Sequence, residues 1–435
     1  MQHYQNYIDR VAQNLLKILL VTAGTNGLIS FMLLGMLHLP HFLILYKEFL
    51  VLLFVSVVFF KNLITPITQK KRIYQLIWLL SYLIIVIAII LSILYNFKIT
   101  ILFQIKLDIL PILFGLSLTA YFLGLPHTQQ KALVESFVKI TIFLALINAI
   151  IAVLESTLFK NIILSFILNK LGHYGDIYGI KIITVKGNYL RAFGLLNGFV
   201  HLGDFLLIAL GLLLFSSQFT SNKKILFSFV MVLGLISSIY KSGIIGMILF
   251  IIFYILSTFS RNKHHILFLI LFLTPIFTLL GYISSLTTYS YQLVLLLSDY
   301  IATHSFLARY RTLLKLSQQH GNLLTGFGLG KNGTYLPQQT HLALDSLFIY
   351  ITSNYGLFIF LIIQIIAFYG LIYITYSLIK NKKNPYAILT FLSILYFIFL
   401  ESWFNNLLGT YPISYLFFTI LAIYISNEIR LNHKS

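Results

Sequence analysis

Long apolar runs that contain almost no charged residues recur along the whole chain. Of its 435 residues, 59% are hydrophobic and only 9% are charged, whereas roughly a quarter of the residues in a soluble domain are charged. So much apolar surface cannot be hidden inside aqueous cores of this size. The composition therefore excludes a soluble protein and predicts a chain that crosses a membrane many times.

A membrane-spanning helix needs roughly 20 mostly apolar residues, and the sequence predicts about twelve such spans. Their approximate bounds are 15–38, 42–60, 73–95, 101–124, 132–154, 195–217, 224–240, 242–259, 265–283, 346–379, 385–404 and 412–427. The predicted fold class is an all-α polytopic membrane protein that forms a single integral membrane domain over residues 1–435. Because the tenth stretch is longer than a bilayer requires, we expect its first turns to lie outside the hydrocarbon.

The distribution of cations in the short connections predicts the orientation of these spans. One set of alternate connections, together with both tails, contains most of the Lys and Arg residues, whereas the short connections on the opposite face contain only Lys98 and Lys241. Since cations are retained on the cytoplasmic side, both termini are predicted to be cytoplasmic. Residues 155–194 and 284–345 then form long loops on the outer face, where function is expected to concentrate.

The net charge of +19 does not predict a nucleic-acid partner, because the sequence has no dense basic run and no basic helix. Orientation in the membrane and contact with anionic lipids account for the charge better. The sequence contains no cysteine, so disulfides, thiolate metal sites and a cysteine nucleophile are excluded. Any chemistry must come from His, carboxylate, hydroxyl and Arg side chains.

Arg191 lies just before the sixth predicted span and is followed by Gly194 and Asn197. A glycine here lets another backbone or a ligand approach closely. The Arg191 guanidinium either reaches lipid phosphate at the interface or binds an anionic ligand on the outer face. Within the span, His201 and Asp204 share one helical face and form either a packed pair or a functional one.

The outer loops carry more Lys and Arg than Asp and Glu. Cations retained outside suggest an anionic ligand on that face, although long loops are also translocated whatever their charge. Arg309 and Arg311 lie two residues apart and would point about 200° away from each other on a helix. We therefore expect Arg309 to face a site and Arg311, with Lys315, to lie on a solvated face. In the fourth span, Lys106 and Asp108 are expected to form a structural pair.

Gly326, Gly328 and Gly330 form a Gly-rich segment before Lys331. A nucleotide-binding loop is excluded, because the segment follows no predicted strand and has no Ser or Thr after its Gly-Lys pair. A tight outer turn that brings backbone near a ligand is the better interpretation.

His341 and Asp345 are four residues apart at the start of the tenth span. A carboxylate at this boundary is a candidate general base. It is equally a helix N-terminal acid that only opposes the helix dipole. No third ligand stands at a recognisable spacing, so we do not expect a metal site.

Taken together, these features resemble the superfamily of bacterial O-antigen ligases and Wzy-type O-antigen, capsule and exopolysaccharide polymerases. The resemblance covers the span plan, the large outer loop between the ninth and tenth spans, and several short patterns. These patterns are Arg191 to Gly194 with Asn197, Arg309 followed by Gly326, Gly328 and Gly330, a partial match at Lys241 to Gly243, and Asp345-Ser346 separated from Gly356 by nine residues. Asp345 stands where ligases have His, which favours a polymerase and leaves Asp345 and His341 as alternative bases.

The resemblance implies a GT-C-like glycosyltransferase that needs no metal or other cofactor and acts at the outer face of the bacterial cytoplasmic membrane. Its donor would be a glycan on undecaprenyl diphosphate, and its acceptor a sugar hydroxyl on a second lipid-linked repeat unit. Membrane lipids, a chain-length regulator and a flippase are the implied partners. The alternatives are a ligase that transfers finished polymer and a flippase, although flippases tend to have short loops and two related halves.

The same resemblance assigns roles to individual residues. Asp345 or His341 would accept the proton of the acceptor hydroxyl. The remaining residues fall into three groups, which are Arg191, Arg309 and Arg311 for binding the diphosphate, Gly326, Gly328 and Gly330 for the substrate loop, and Asn197, His201 and Lys241 for support.

Overall fold

The computed structural model describes residues 2–37, 40, 43, 45–64, 83, 99–162, 185–186, 189–259, 324, 326, 346–380, 384–403, 405–406 and 410–432. The predicted ninth span, and the third apart from residue 83, lie outside these residues. Within them, the chain forms the α-helices α1 (Gln2–Ser30), α2 (Tyr46–Ile64), α3 (Ile99–Gly124), α4 (His127–Ser156), α5 (Phe199–Phe215), α6 (Ser221–Ser237), α7 (Lys241–Phe259), α8 (Leu347–Tyr355), α9 (Leu357–Ile379), α10 (Ala387–Ile394) and α11 (Ile413–Asn432).

Short irregular elements complete the described chain. A π-helical turn at Phe31–Met36 continues α1, and a π-helical turn at Leu395–Leu400 followed by a 3₁₀ turn at Glu401–Trp403 continues α10. The strands β1 (Val185–Lys186) and β2 (Tyr189–Leu190) pair antiparallel. Helices thus dominate the described residues, whose two strands form one small ribbon.

Among the described residues, four helical stretches are long and apolar enough to cross a membrane, namely Asn6–Leu33, Lys106–Gly124, His127–Ser156 and Leu357–Ile379. Shorter apolar helices span Phe199–Phe215, Lys241–Ser257 and Ala387–Leu400. These helices confirm the coarse prediction of a helical chain with the apolar elements of an integral membrane protein. The count of about twelve spans stays a prediction.

The chain divides into two compact units. Unit 1 comprises Met1–Ser81, Leu110–Ile255 and Thr410–Ser435, and unit 2 comprises Tyr82–Ile109 and Leu256–Gly409. The first outer loop predicted from the sequence falls in unit 1, and the second falls in unit 2. The prediction of a single integral membrane domain is untested.

Helix α4 is the centre of unit 1, where it packs against α1, α5 and α6. Small residues allow this close packing, because they let helix backbones approach each other. A Cβ atom placed on Gly234 of α6 would lie 2.6 Å from the Cα atom of Ala149 on α4. One placed on Gly24 of α1 would lie 2.8 Å from the Cδ1 atom of Leu144.

Polar contacts tie the helix ends of unit 1 together. Lys61 of α2 forms an ion pair with Asp9 of α1. At the end of α3, the Arg430 Nη2 atom donates to the carbonyl oxygens of Phe122 and Leu125, each at 2.6 Å. A cation at this position satisfies carbonyl groups that the helix itself leaves unpaired.

In unit 2, the tenth predicted stretch is two helices rather than one. Gly356 separates α8 from α9 and has a φ of 94°. Residues other than glycine adopt this backbone conformation only at a cost in free energy. Ser346 caps the start of α8, because its hydroxyl oxygen accepts a hydrogen bond from the Ile349 N–H group. Residues 347–354 are all buried, so α8 packs inside the protein. The sequence did not predict this break, and the expectation that the first turns of the stretch lie outside the hydrocarbon stays a prediction.

We predict that Gly234→Ala destabilises unit 1 by about 1–3 kcal/mol, the usual cost of overpacking a filled site. The added methyl group meets the backbone of α4, which cannot move aside as a flexible side chain would. The measurement is thermal unfolding of the full chain in detergent. Gly370→Ala in α9 is the matched control, since its Cβ would be 3.8 Å from the nearest atom. Equal melting temperatures for both variants would contradict the packing argument.

Candidate functional site

The Arg191 loop, residues 191–198, connects β2 to α5. Three consecutive backbone N–H groups of this loop donate to side chains of α4. The Glu155 Oε2 atom accepts from the N–H groups of Phe193 and Gly194, both at 2.9 Å. The Asn148 Oδ1 atom accepts from the Leu195 N–H group at 2.8 Å. One helix face therefore fixes the middle of the loop.

Asn148 also connects α4 to α1. Its Nδ2 atom donates to the carbonyl oxygens of Gly24 and Leu144, both at 2.9 Å. Its side chain is fully buried, and three hydrogen bonds use most of the capacity of an amide group. Asn148 is thus a junction between two helices and the Arg191 loop.

Two further backbone hydrogen bonds hold the loop from other sides. The Leu28 N–H group of α1 donates to the carbonyl oxygen of Leu195, and the Ala192 N–H group donates to the carbonyl oxygen of Ser237 on α6, each at 3.1 Å. A Cβ atom on Gly27 would lie 2.4 Å from the carbonyl carbon of Leu196. The loop is therefore enclosed by α1, α4 and α6, with no space between its backbone and α1.

Gly194 makes this arrangement possible. Its φ is +59°, a left-handed conformation that costs other residues about 1–2 kcal/mol. A Cβ atom at this position would also lie 2.8 Å from the Asn148 Oδ1 atom. Gly194 was expected to let a backbone or a ligand approach closely. In the structure, Asn148 of α4 is the group that approaches it.

The Arg191 side chain lies over an aromatic ring. Its guanidinium carbon is 4.5 Å from the ring centroid of Phe199, a distance that gives a favourable cation–π interaction. Phe199 in turn packs edge-on against Tyr240, with the ring centroids 6.1 Å apart. Tyr240 touches Gly203 and Gly243 closely, so the platform under Arg191 is fixed by α5 and α7.

The charge of Arg191 is not neutralised within the described part of the chain. Its Nε atom is buried and has no hydrogen-bond partner there, and no acid in that part of the chain forms an ion pair with Arg191. Burial lowers the pKa of the Arg191 guanidinium, because desolvation disfavours the charged form. A partly buried guanidinium without an acid is suited to an incoming anion.

The supporting residues predicted from the sequence lie along the elements next to Arg191. The Asn197 Oδ1 atom is buried and has no hydrogen-bond partner among the residues that the structure describes. His201 is partly exposed and Asp204 is buried in α5. Lys241 is exposed at the start of α7, directly after Tyr240. The structure thus brings Arg191, Phe199 and Tyr240 together, with Asn197 in the same loop.

Most predicted site residues of the second outer loop lie outside the described residues. These are Arg309, Arg311, Gly328, Gly330, His341 and Asp345. Gly326 is described, with a φ of +73°. A Cβ atom on it would lie 2.5 Å from the backbone nitrogen of Gly356. The group that lies close to Gly326 is therefore the backbone between α8 and α9.

Unit 2 contains a buried carboxylate whose partners the sequence did not indicate. The Tyr350 hydroxyl donates to the Asp108 Oδ1 and Oδ2 atoms at 2.9 and 3.1 Å, and the Tyr355 hydroxyl also donates to Oδ2. Both tyrosines belong to α8. The pairing predicted between Asp108 and Lys106 stays a prediction.

Sequence reasoning also missed Asn148 and Glu155. An amide inside the apolar run of the fifth predicted span was the available signal for Asn148, because a polar group there needs a partner. Glu155 gave a weaker signal, since an acid at the end of a span is equally a solvated charge. Neither position reveals that its partner is a backbone segment about 40 residues further along.

Comparisons of the chain with protein-family models, with curated proteins and with solved structures gave no match. The resemblance drawn from short motifs and span plan therefore stays a prediction.

We predict that Gly194→Ala loosens the Arg191 loop, because alanine disfavours the left-handed backbone and its methyl group meets Asn148. The expected result is faster hydrogen–deuterium exchange at the amides of residues 193–195, measured by mass spectrometry on the full chain in detergent. Gly124→Ala is the control, since nothing lies within 4 Å of its added Cβ. Unchanged exchange in Gly194→Ala would show that the loop does not depend on this conformation.

Proposed function

We propose that this protein is a polymerase of undecaprenyl-diphosphate-linked oligosaccharide repeat units. It forms glycosidic bonds at the outer face of the bacterial cytoplasmic membrane, with both termini in the cytoplasm, and so builds a surface polysaccharide such as a capsule, an exopolysaccharide or an O-antigen. The observation that carries this proposal is the environment of Arg191, a guanidinium placed by three helices over an aromatic ring with no described acid to neutralise it.

The chemistry of a lipid diphosphate suits this environment. When the sugar leaves its carrier, negative charge develops on the diphosphate oxygens, and a guanidinium binds such oxygens through two parallel N–H donors. The interaction gains strength where water is excluded. Because the Arg191 loop is already held, little reorganisation accompanies binding.

The reaction transfers one glycan between two lipid carriers. The acceptor hydroxyl oxygen attacks the anomeric carbon of the donor, the bond from that carbon to the diphosphate oxygen breaks, and the hydroxyl proton passes to a general base. Undecaprenyl diphosphate then leaves with the bonding electron pair. We assign the base to Asp345, with His341 as the alternative, and assign Arg309 and then Arg311 to the diphosphate on the basis of the family resemblance.

The proposal is consistent with the apolar helices of the chain. Both substrates carry long polyprenyl chains and meet by lateral diffusion, so the reaction needs neither a soluble domain nor a cofactor. The runner-up function is a ligase that transfers finished polymer to another acceptor, and the residue at position 345 is the feature that disfavours it.

We predict that Arg191→Ala reduces polymer formation by about 100-fold or more, the usual loss when a transition-state donor is removed. Arg191→Lys keeps the charge without the planar fork and should restore only part of the activity. The measurement is the length distribution of surface polysaccharide on gels, in cells that carry the variant as their sole copy. Arg10→Ala, a change at an exposed arginine of α1, is the matched control.

The location of the unpolymerised units decides between the functions. Single repeat units that still reach the cell surface in Arg191→Ala support a polymerase. Units that accumulate on the cytoplasmic face support a flippase instead, and intact polymer that is not attached to its final acceptor supports a ligase. Normal polymer in Arg191→Ala would refute the role of this residue.

We further predict that Asp345→Asn stops turnover and leaves lipid binding intact, because the amide cannot accept the hydroxyl proton. Arg309→Ala should instead weaken binding of the diphosphate. Both are measured on the purified full chain in nanodiscs, with radiolabelled undecaprenyl diphosphate as the binding probe and lipid-linked repeat units as the substrate. An unchanged chain length with Asp345→Asn would eliminate this residue as the base and direct the same test to His341→Ala.

A further inference from the structure

Glu155 is a buried acid near the end of α4, with an exposed fraction of 7%. A buried carboxylate is costly unless it is paired or fully hydrogen-bonded. Its partners here are the successive N–H groups of Phe193 and Gly194. Glu155 and Arg191 are both described and do not form an ion pair. The Glu155 carboxylate therefore accepts hydrogen bonds from the backbone of the Arg191 loop and does not neutralise the guanidinium.

Asn148 stands seven residues before Glu155, which is about two helical turns, so the two side chains share one face of α4. Their acceptor atoms take consecutive amides, the Glu155 Oε2 atom those of residues 193 and 194 and the Asn148 Oδ1 atom that of residue 195. Two side chains of α4 thus accept hydrogen bonds from three adjacent backbone N–H groups. Rotation or displacement of the loop would break all three bonds together.

We infer that Glu155 and Asn148 are positioning residues that hold the Arg191 guanidinium at the bound diphosphate. This inference rests on the proposed function and adds to it two residues that act through Arg191 without touching the substrate. Their role requires an acceptor oxygen in a fixed place, and a negative charge at Glu155 is not essential to it.

The isosteric change Glu155→Gln separates the need for an acceptor oxygen from the need for a negative charge. Glu155→Gln keeps a carbonyl oxygen that accepts two N–H donors, whereas Glu155→Ala leaves the amides of residues 193 and 194 without their acceptor. A displacement of about 1 Å at a substrate-positioning group costs on the order of 100-fold in rate. We expect a loss of this size in kcat for Glu155→Ala, and recovery of most of it in Glu155→Gln.

The experiment measures kcat and KM of the full chain in proteoliposomes, with lipid-linked repeat units as substrate. Every rate is expressed per folded molecule, with folded protein determined by size-exclusion chromatography and thermal unfolding. Glu135→Ala, on the same helix but far from the loop, is the matched control. A loss of activity explained wholly by a smaller folded fraction would overturn the inference, and so would a loss in Glu155→Gln equal to that in Glu155→Ala.

A double-mutant cycle tests whether Glu155 acts through Arg191. We expect Glu155→Ala to lower activity strongly in the native chain and to have little further effect in the Arg191→Ala background. Independent, multiplicative losses would overturn the inference. Asn148→Ala removes the acceptor of the Leu195 N–H group, and we expect it also to have little further effect in the Arg191→Ala background.

Failure of the inference and failure of the proposed function give different results. If the native chain shows no polymerase activity, the proposed function is wrong whatever Glu155 does. If Arg191→Ala retains full polymerase activity, the role of Arg191 and the positioning role are both wrong, while the proposed function stands. If Arg191→Ala is inactive and Glu155→Ala is fully active per folded molecule, only the positioning role is wrong. Binding of undecaprenyl diphosphate in nanodiscs gives a second readout, in which Glu155→Ala should weaken binding and Glu155→Gln should not.

Discussion

Three hydrogen bonds from the Arg191 loop to α4 fix the position of this loop in unit 1, and the placement of the Arg191 side chain depends on them. A non-helical segment packed among helices must satisfy its buried backbone N–H groups within the protein, because an unpaired buried donor is costly. Glu155 and Asn148 satisfy three such groups in succession. Gly194 lets these bonds form without steric conflict, since its backbone is left-handed and a Cβ atom there would lie 2.8 Å from the Asn148 Oδ1 atom.

This use of the acid has an electrostatic consequence for Arg191. A carboxylate paired with the guanidinium would cancel its charge. Here the amides occupy Glu155, and the Arg191 guanidinium lies on the Phe199 ring, which attracts a cation without neutralising it. The desolvation cost of Arg191 is thereby only partly offset within the described residues, and an anionic ligand would offset more of it.

The sequence predicted the features that depend on the composition of a single segment. The apolar runs located α3, α4 and α9, since the length of such a helix depends on bilayer thickness and composition alone. The break at Gly356 was missed, because hydropathy does not distinguish a glycine within a helix from one with a positive φ. Gly194 was recognised as a place of close approach, but its partner, Asn148, could not be predicted because that contact arises only when distant segments fold together.

Three carboxylates among the described residues are each paired within the protein. Asp108 accepts hydrogen bonds from two tyrosines, Asp9 pairs with Lys61, and Glu155 binds backbone amides. Ionisable residues in a membrane protein are functional candidates by default, yet each of these acids has a structural partner. Arg191 differs from them, because its Nε atom is buried without a partner in the same described region. These three acids are already paired within the protein, and for that reason we place the proposed function at the guanidinium rather than at them.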